Sequence, residues 1–362
     1  MSSNLLGQVS RRDFLRGTLG GALGGAALAG VGASLVRAQG ANRRVIDCHH
    51  HFTAPAYLKA LASKEGQYRQ GFTPYFNYNV LKSYSPAKDV ELMDQEGVAT
   101  CMLSCTTPGI WFGDPAESAA LAREMNEFGA KMVSDYKGRF GLFALLPMPT
   151  VDVSLKEIEY ALDTLKADGV GIMTSYGNRW LGDPTFRPIL DELNRRKAIV
   201  YTHPIDAPCC SGVLPGVNPT TIEYNTDTSR TIFSLISSDA ATRYSDIKFI
   251  FSHAGGTMTS LIERFGVGAP DTINDALAAT PAPNSRLYHL RRFYYDTAQS
   301  VNVVQMRGLK TIAGAGQIVF GTDYPFQNAT RTLKGLDQCG FSANELQGIH
   351  RGTAAKLLPK YS

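Results

Sequence analysis

The sequence lacks the glycine-rich phosphate motifs and the excess charge that are typical of nucleotide-binding and nucleic-acid-binding proteins. No G-x-G-x-x-G follows the first apolar segment, and no G-x-x-x-x-G-K-[ST] occurs in the 362 residues, which counts against nucleotide folds. The formal net charge is +4, but residues 1–38 hold four arginines and one aspartate, which leaves +1 for the remainder. We therefore expect neither nucleic acid nor an anionic membrane as a partner.

The sequence also lacks a zinc-finger or disulfide framework. Cys101 and Cys105 lie four residues apart on a predicted strand, too far along an extended chain to form a disulfide with each other. Cys209 and Cys210 are adjacent in a predicted loop. No spacing among the six cysteines matches a structural zinc site, and we predict no essential disulfide. The complete set is Cys48, Cys101, Cys105, Cys209, Cys210 and Cys339.

Residues 1–38 have the pattern of an export signal. The segment 10–16, SRRDFLR, resembles the twin-arginine signal, and an apolar stretch from Gly17 to Val36 precedes a small-residue cleavage site at 36–38. About 20 apolar residues could instead anchor the chain in a bilayer, but seven glycines between Gly17 and Gly32 make the stretch weakly hydrophobic. We expect a periplasmic protein that is exported folded and has no stable membrane association after processing.

Eight short apolar segments alternate with helical segments in the remaining chain. Near-continuous apolar runs are typical of strands buried on both faces, and eight of them in some 320 residues predict an α/β fold, a (β/α)8 TIM barrel, as the single domain 39–362. The predicted strands are Val45–Phe52, Ala99–Thr106, Phe140–Met148, Gly169–Ser175, Ala198–Pro204, Lys248–Ala254, Phe293–Thr297 and Ile318–Asp323.

Three predicted helices have recognisable beginnings. Asp114 and Asp183 each precede a proline, so each offers an N-cap followed by the residue that suits the first helical position. Ser342 has a glutamate three residues later, which is a capping box. The segment Gly66–Pro86 is rich in tyrosine and phenylalanine and shows neither the hydrophobic period of a helix nor that of a strand. It fits an aromatic lid over an active site and a subunit contact equally well.

The first predicted strand carries three consecutive histidines, His49, His50 and His51, after Asp47. Strand alternation predicts that His49, His51 and Asp47 share one face, that His50 lies on the other, and that Cys48 faces the surrounding helices. Two imidazoles on one face at the end of a strand can bind one metal ion. A chance histidine run or a purification-tag fragment is the weaker interpretation, because Asp47 and an apolar pair precede the run.

Other polar residues end three further predicted strands: His203 the fifth, His253 the sixth and Asp323 the eighth. Each alone would be interpreted as a core histidine or a turn-capping aspartate. In a barrel, however, all carboxyl ends of the strands meet at one mouth. Imidazole and carboxylate together suit a zinc-like divalent ion with one open position.

These residues resemble the amidohydrolase superfamily. The segments 251–256 (FSHAGG), 320–325 (FGTDYP) and 183–188 (DPTFRP) are similar to its aminocarboxymuconate-semialdehyde decarboxylase branch, which also contains salicylate-type and resorcylate decarboxylases. The segments 169–171 and 175–179 are most similar to 6-methylsalicylate decarboxylases. The resemblance extends over residues 44–358.

The resemblance implies a set of site residues. His253 would be the acid/base beside a metal-bound water, and Arg264, eleven residues later, would contact the substrate carboxylate, in some members across a homodimer interface. The fourth strand ends without the lysine that bridges two metals in dinuclear members, so we expect one divalent ion, Zn²⁺ or alternatively Mn²⁺. Its implied ligands are His49, His51, His203 and Asp323.

The implied reaction is the non-oxidative decarboxylation of a small aromatic acid with an ortho hydroxyl, of the 6-methylsalicylate type. A metal chelated by the carboxylate and that hydroxyl would orient the ring. Either Asp323 or a metal-bound water beside His253 would donate the proton. Two alternatives remain open: a hydrolase of a lactone or amide with the same ligands, and a non-catalytic periplasmic metal-binding protein.

Overall fold

The computed structural model of the protein describes residues 44–64, 78–267 and 272–362. Eight parallel strands form one sheet in which each strand pairs with the next along the chain. The last strand returns to the first, because Asp323 N donates to His49 O at 2.9 Å and His51 N donates to Tyr324 O at 2.9 Å. The strands are β1 Val45–His51, β2 Val98–Ser104, β3 Phe140–Leu145, β4 Gly169–Met173, β5 Ile199–His203, β6 Lys248–Phe251, β7 Tyr294–Asp296 and β8 Ile318–Val319.

The predicted (β/α)8 barrel and all eight predicted strands are therefore confirmed. Helices connect the strands on the outside, and no described helix is both long and apolar enough to cross a membrane. The helices are α1 Pro55–Lys64, α2 Tyr78–Lys82, α3 Pro86–Glu96, α4 Pro115–Asp135, α5 Val151–Glu159, α6 Arg187–Arg195, α7 Glu223–Ser237, α8 Ala240–Arg243, α9 Ile273–Ala278, α10 Arg286–Leu290, α11 Val303–Ala313, α12 Ala329–Asp337, α13 Ala343–Gln347 and α14 Thr353–Leu357.

The three predicted helix beginnings are confirmed. The Asp114 carboxylate accepts the backbone N–H groups of the first turn of α4, at 2.7 and 3.0 Å. Asp183 caps a short 3₁₀ turn that leads into α6. Ser342 and Glu345 form a complete capping box at α13. Each side chain satisfies backbone donors that a helix leaves without partners, which explains why the helices begin there.

The barrel interior holds a compact apolar cluster. It combines residues from strands on all sides with three residues of the C-terminal segment, which closes the amino-terminal end of the barrel. β4 contributes glycine here because a Cβ at Gly169 would lie 2.6 Å from Ile199 O. The buried members are Ile46, Cys48, Met102, Phe143, Ile199, Tyr201, Ile250, Val319, Ala354, Leu358 and Tyr361. A larger cluster fills the space between strands and helices, so most strand residues are buried on both faces.

β1 departs from the simple alternation. Its pairing with β2 shifts register between Asp47 and His50, and such an irregularity changes which face the following residues occupy. As a result Cys48 lies in the interior cluster, while Asp47 lies with His50, whose ring reaches Asp89 of α3. The predictions that Cys48 faces the helices and that Asp47 shares a face with His49 are therefore wrong. The prediction that His50 lies opposite His49 is confirmed.

Some predictions fall outside the described residues. The export signal lies within residues 1–43, and most of the aromatic segment Gly66–Pro86 lies within residues 65–77. The structure joins Cys209 to Cys210 by a disulfide, and the other four cysteines are buried thiols. A bond between adjacent residues closes almost no chain loop, so it removes little unfolded-state entropy. That no disulfide is essential stays a prediction.

Candidate metal centre

Four buried side chains converge at the carboxyl end of the barrel. Their ligand atoms, from His49, His51, His203 and Asp323, all lie within 4.8 Å of one another. The Nε2 atoms of His49 and His51 are 3.1 Å apart, and Asp323 Oδ1 lies 3.1 and 3.0 Å from them. The structure thus brings together the four residues that the family resemblance implied as ligands. Two come from β1, one from the end of β5 and one from the segment after β8.

Each of the three imidazoles has a hydrogen-bond acceptor at Nδ1. An acceptor at that nitrogen holds the proton there and leaves a lone pair on Nε2, which is how proteins usually orient a metal-binding histidine. The Nδ1 contacts are His49 with Asp296 Oδ2 at 2.7 Å, His51 with Ser104 Oγ at 3.1 Å, and His203 with Pro204 O at 2.9 Å.

The donor set fits a divalent cation. Two imidazole lone pairs 3.1 Å apart repel each other unless a proton or a cation lies between them. Three nitrogens and one carboxylate oxygen form a ligand set suited to zinc or a similar transition metal, and a set of four leaves room for a substrate oxygen when the metal takes a higher coordination number. The observation that carries this assignment is the common direction of the lone pairs.

The electrostatics of the four groups agree with this assignment. Burial lowers the pKa of His51 to about 4 and the pKa of His203 well below its ordinary value. Burial also opposes a charge on His49, but Asp296 and Asp323 outweigh it and raise the His49 pKa to about 10. Burial likewise opposes ionisation of Asp323, yet His49 and its neighbours hold the Asp323 pKa well below the usual range. Without a metal, a proton on His49 compensates the carboxylates.

His253 lies beside the ligand set and is not part of it. Its Nε2 is 3.6 Å from Asp323 Oδ2, and its buried Nδ1 has no hydrogen-bond partner among the described residues. His253 and Ala254 both have positive φ, 54° and 56°, which is uncommon for residues other than glycine. Gln305 holds this turn by donating to His253 O at 3.1 Å. Such strain at a site suggests that the imidazole position matters for function.

Asp296, at the end of β7, is a site residue that the sequence analysis missed. Its Oδ2 contacts His49 Nδ1, and its Oδ1 accepts from His253 N and Ala298 N, both at 2.9 Å. One buried carboxylate therefore positions a ligand and the acid/base candidate together. The sequence did contain a signal for it, because Asp296, like Asp323, is an aspartate near the carboxyl end of a predicted strand.

Gln299 was also missed. Its side-chain amide donates to Asp323 Oδ2, and its backbone has a positive φ of 49°. Gln299 is exposed, so it lies at the solvent-facing edge of the ligand cluster. Nothing in its loop sequence distinguishes it from an ordinary surface glutamine, so the sequence offered no signal for it.

Arg264 is not part of this cluster in the single chain. It is exposed in the segment that follows His253, and no hydrogen bond or ion pair among the described residues joins it to the four ligands. Its contact with a substrate carboxylate stays a prediction. At the end of β4, Met173 pairs with His203 and Thr174 N donates to His203 O at 2.9 Å. That the site holds one ion and not two stays a prediction.

A parallel eight-stranded barrel with three histidines and an aspartate at its mouth is the architecture of the metal-dependent amidohydrolases. The sequence pattern of the amidohydrolase family matches residues 46–360. The chain belongs to the amidohydrolase family, as its motifs predicted.

The proteins that are similar to this chain in sequence belong to a narrower group within that family. The chain is 36% identical over 326 residues to a 6-methylsalicylic acid decarboxylase of Penicillium expansum, covering 87% of this chain and 96% of that protein. It is 34% identical over 333 residues to a decarboxylase of Penicillium terrestre, covering 87% and 95%. These similarities confirm the predicted resemblance to the decarboxylase branch.

Solved structures share the fold at lower identity. A 5-carboxyvanillate decarboxylase from Sphingomonas paucimobilis superimposes with a TM-score of 0.76 at 21% identity, covering 88% of this chain and 99% of that one. A dihydroxybenzoic acid decarboxylase from a Polaromonas species, with bound manganese and the inhibitor 2-nitroresorcinol, gives 0.73 at 22% identity, covering 87% and 96%. At these identities the comparison supports the fold.

Proposed function

We propose that this protein is a metal-dependent, non-oxidative decarboxylase of a small aromatic carboxylic acid that carries an ortho hydroxyl. The observation that carries the proposal is the buried ligand cluster with a further imidazole, His253, held beside it. The relative from Penicillium expansum, a 6-methylsalicylic acid decarboxylase, supports the same reaction class. The expected substrate is therefore of the 6-methylsalicylate type.

We infer that His49, His51, His203 and Asp323 hold one divalent ion. When bound, the ion would hold the substrate's carboxylate and ortho oxygens and stabilise their negative charge. Zn²⁺ and Mn²⁺ both suit the ligands, and the manganese in the Polaromonas relative supports Mn²⁺ as an alternative to the expected Zn²⁺. Elemental analysis of protein purified without added metal distinguishes them.

The residues around the ligands would move one proton. Removing CO₂ directly would leave an electron pair that an aromatic ring cannot hold, so the ring carbon bearing the carboxylate takes a proton first. The bond to the carboxylate then breaks, its electrons restore the aromatic ring, and CO₂ leaves. Asp323, or a water beside His253, would donate the proton, a role typically worth about 10²–10⁴-fold in rate. His253 Nε2 lies 3.6 Å from Asp323 Oδ2, which is close enough for an electrostatic contact but longer than a hydrogen bond.

The deciding experiment incubates metal-replete protein with a panel of hydroxybenzoates and measures CO₂ and the phenol formed. Ortho-hydroxy acids should release CO₂, while the corresponding methyl ether and unsubstituted benzoate should not, because they cannot chelate. Equal turnover of the methyl ether would contradict the chelation step. Hydrolysis of a lactone or amide without CO₂ release would favour the hydrolase alternative, and inactivity on both panels would favour a metal-binding protein.

We further propose that the protein forms a homodimer in which Arg264 of one copy serves the site of the other. The exposure of Arg264, which leaves its guanidinium free to contact a second copy, supports this arrangement. A planar guanidinium suits bidentate contact with a carboxylate. Mixing inactive His253→Ala protein with inactive Arg264→Ala protein should restore part of the activity after subunit exchange. No recovery in verified mixed dimers would contradict the shared site.

We propose that the protein is exported to the periplasm by the twin-arginine route. The support is the sequence of segment 10–16 and the glycine-rich apolar stretch after it. Replacing Arg11 and Arg12 together by Lys should keep the protein in the cytoplasm and leave residues 1–38 attached. Normal periplasmic delivery of that variant, or an intact segment 1–38 on exported protein, would contradict the proposal.

A further inference from the structure

A mostly apolar cavity lies at the carboxyl ends of β2, β3, β4 and β5. Its walls include Cys105, Ile110, Leu145, Met173 and Ile205. No charged side chain lines it. It lies on the same face of the barrel as the ligands, which is the face where barrel enzymes bind their substrates.

The cavity wall is continuous with two of the ligands. Cys105 follows Ser104, whose hydroxyl holds the Nδ1 of His51. Met173 is the register partner of His203, and Ile205 lies two residues after His203. A ring held at the ligand cluster therefore has this cavity as its neighbour on the β2–β5 side.

Three polar side chains of the cavity wall already form hydrogen bonds within the protein. The hydroxyl of Tyr176 accepts from Met173 N at 3.0 Å, and Ser175 Oγ donates to Asp227 Oδ2 at 2.9 Å. The thiol of Cys105 donates to the Thr106 carbonyl at 3.3 Å. A hydroxyl group that packs against Ile110, Leu145, Met173 and Ile205 would exchange water for apolar contacts, which is unfavourable.

The cavity is also narrow. Its enclosed part has room for a group about the size of one water molecule or one methyl group. Gly109, with φ +75°, forms part of the wall, and a Cβ there would lie 3.1 Å from Met173 Cγ. The close approach of Gly109 keeps the Met173 side chain in place, so the cavity fits a ring substituent better than a whole ring.

We infer that this cavity is a subsite for one small apolar substituent of the substrate ring, and that it selects methyl over hydroxyl at the second ortho position. The inference rests on the proposed function, because it assumes an aryl acid held by its carboxylate and one ortho hydroxyl. The second ortho position is then one of the two unchelated ring positions that flank the chelating groups, and it is the one beside the carboxylate. The cavity wall includes Cys105 and Ile205, which lie one and two residues beyond Ser104 and His203.

The inference predicts a ranking of three acids that differ at one position. 2-Hydroxy-6-methylbenzoate should have the highest kcat/KM. Salicylate, which lacks the methyl group, should be roughly 10-fold slower, because one buried carbon in an apolar pocket is worth about 10–200-fold. 2,6-Dihydroxybenzoate should be about 10–100-fold slower than the methyl compound, because its second hydroxyl would lie unpaired in the cavity.

Two variants of Met173 test whether this cavity is responsible. Met173→Gln keeps the side-chain length but adds an amide, so it should lower the methyl-to-hydroxyl ratio of kcat/KM by about 10-fold. Met173→Leu, the matched control, keeps the cavity apolar and should keep the ratio within about 3-fold. Metal content and thermal unfolding, measured for both, show whether the barrel and the ligand cluster are intact.

A binding measurement tests the subsite without turnover. Calorimetry with metal-loaded protein should show tighter binding of 3-methylphenol than of resorcinol, the two phenols that decarboxylation of the paired acids would give. Met173→Gln should reverse or abolish that difference. If no acid in the panel releases CO₂, the proposed function is wrong, and the phenol pair still tests the subsite. If CO₂ is released but the dihydroxy acid matches the methyl acid, or Met173→Gln leaves the ratio unchanged, the subsite is wrong and the decarboxylase proposal stands.

Discussion

The two faces of β1 hold histidines with opposite roles. On the inner face, His49 and His51 each use Nδ1 for a hydrogen bond and direct Nε2 at the ligand cluster. On the outer face, His50 uses both nitrogens, with Nδ1 3.1 Å from Asp47 and Nε2 3.0 Å from Asp89. A histidine can bind a metal only where a lone pair is left over. Three adjacent residues of one type therefore differ in function because their hydrogen-bond partners differ.

The pKa values of the histidines on the two faces of β1 differ in the same way. Burial lowers the pKa of His51 to about 4, so its ring is neutral. Burial also opposes a charge on His50, but Asp89 and Asp47 outweigh it and raise its pKa well above the ordinary value. Asp47, His50 and Cys101 lie close enough together to hold a metal. Both nitrogens of His50 are occupied, however, and burial raises the pKa of the Cys101 thiol to about 12, so we interpret this group as a structural ion cluster.

The largest expected effect comes from removing an inner ligand. Replacing His49, His51, His203 or Asp323 by Ala should abolish bound metal and turnover together, because a site of four ligands tolerates little loss. His253→Ala should keep the metal and lose about 10²–10⁴-fold in kcat, because it removes only the proton-transfer group. Elemental analysis and CO₂ release measure the two effects. Two ions per chain, or metal loss in His253→Ala, would contradict the assignment.

Removing the outer histidine should affect stability instead of metal content. His50→Ala would leave Asp47 and Asp89 buried without a counter-charge, and breaking a buried charge cluster in this way costs about 3–5 kcal/mol. Chemical denaturation measures the loss in unfolding free energy, and the folded fraction should still bind one ion. Asp89→Asn is the matched control and should cost less, because His50 keeps Asp47. Loss of the ion at unchanged stability would show that His50 is a ligand.

The different roles of the two faces of β1 could be predicted from the sequence only in part. The strands and the four ligands were predictable because apolar runs and strand ends are local features, and barrel topology brings the ends together. The face of Asp47 was not predictable, because the irregularity of β1 depends on distant contacts. Asp47 accepts from His49 N at 3.0 Å and from Thr322 Oγ1 at 2.6 Å, and Thr322 follows β8. The role of Asp296 likewise arises only when β7 lies beside the ligands.

Replacing Asp296 should weaken metal binding at the inner face of β1 without removing a ligand. Asp296→Asn should lower metal affinity by about 10–100-fold, the usual effect of losing the carboxylate behind a metal-binding histidine. The stoichiometry should remain one ion per chain, because the four ligands are unchanged. Competition with a chelator measures the affinity. Asp168→Asn, a carboxylate away from the ligands that accepts from Leu142 N, is the control, and equal loss of affinity in both variants would argue against a specific role for Asp296.

The protonation of His49 predicts how metal binding depends on pH. Its raised pKa of about 10 means that metal-free protein keeps a proton on His49 throughout neutral pH, and a metal must displace that proton. Between about pH 6 and 9, uptake of one ion should therefore release about one proton, and affinity should rise about 10-fold per pH unit. Calorimetry in buffers of different ionisation enthalpy measures the release. His50 keeps its proton and adds nothing, so a release near two would indicate that both faces take part.

Cys48 provides the smallest expected effect and the sharpest check on where the inner face begins. It lies between Asp47 and His49 and packs with the apolar residues of the barrel interior, and burial raises the pKa of its thiol well above the ordinary value. A buried neutral thiol is neither a nucleophile nor a metal ligand. Cys48→Ala should therefore lose about 1 kcal/mol of unfolding free energy, as for deletion of one small buried group, and keep the metal and turnover within about 2-fold. Cys48→Ser should be less stable than Cys48→Ala, because it places a hydroxyl in the same apolar surroundings. A Cys48→Ala protein that folds and binds metal but has no turnover would show that the thiol takes part in the chemistry, and the catalytic part of the inner face would then include Cys48.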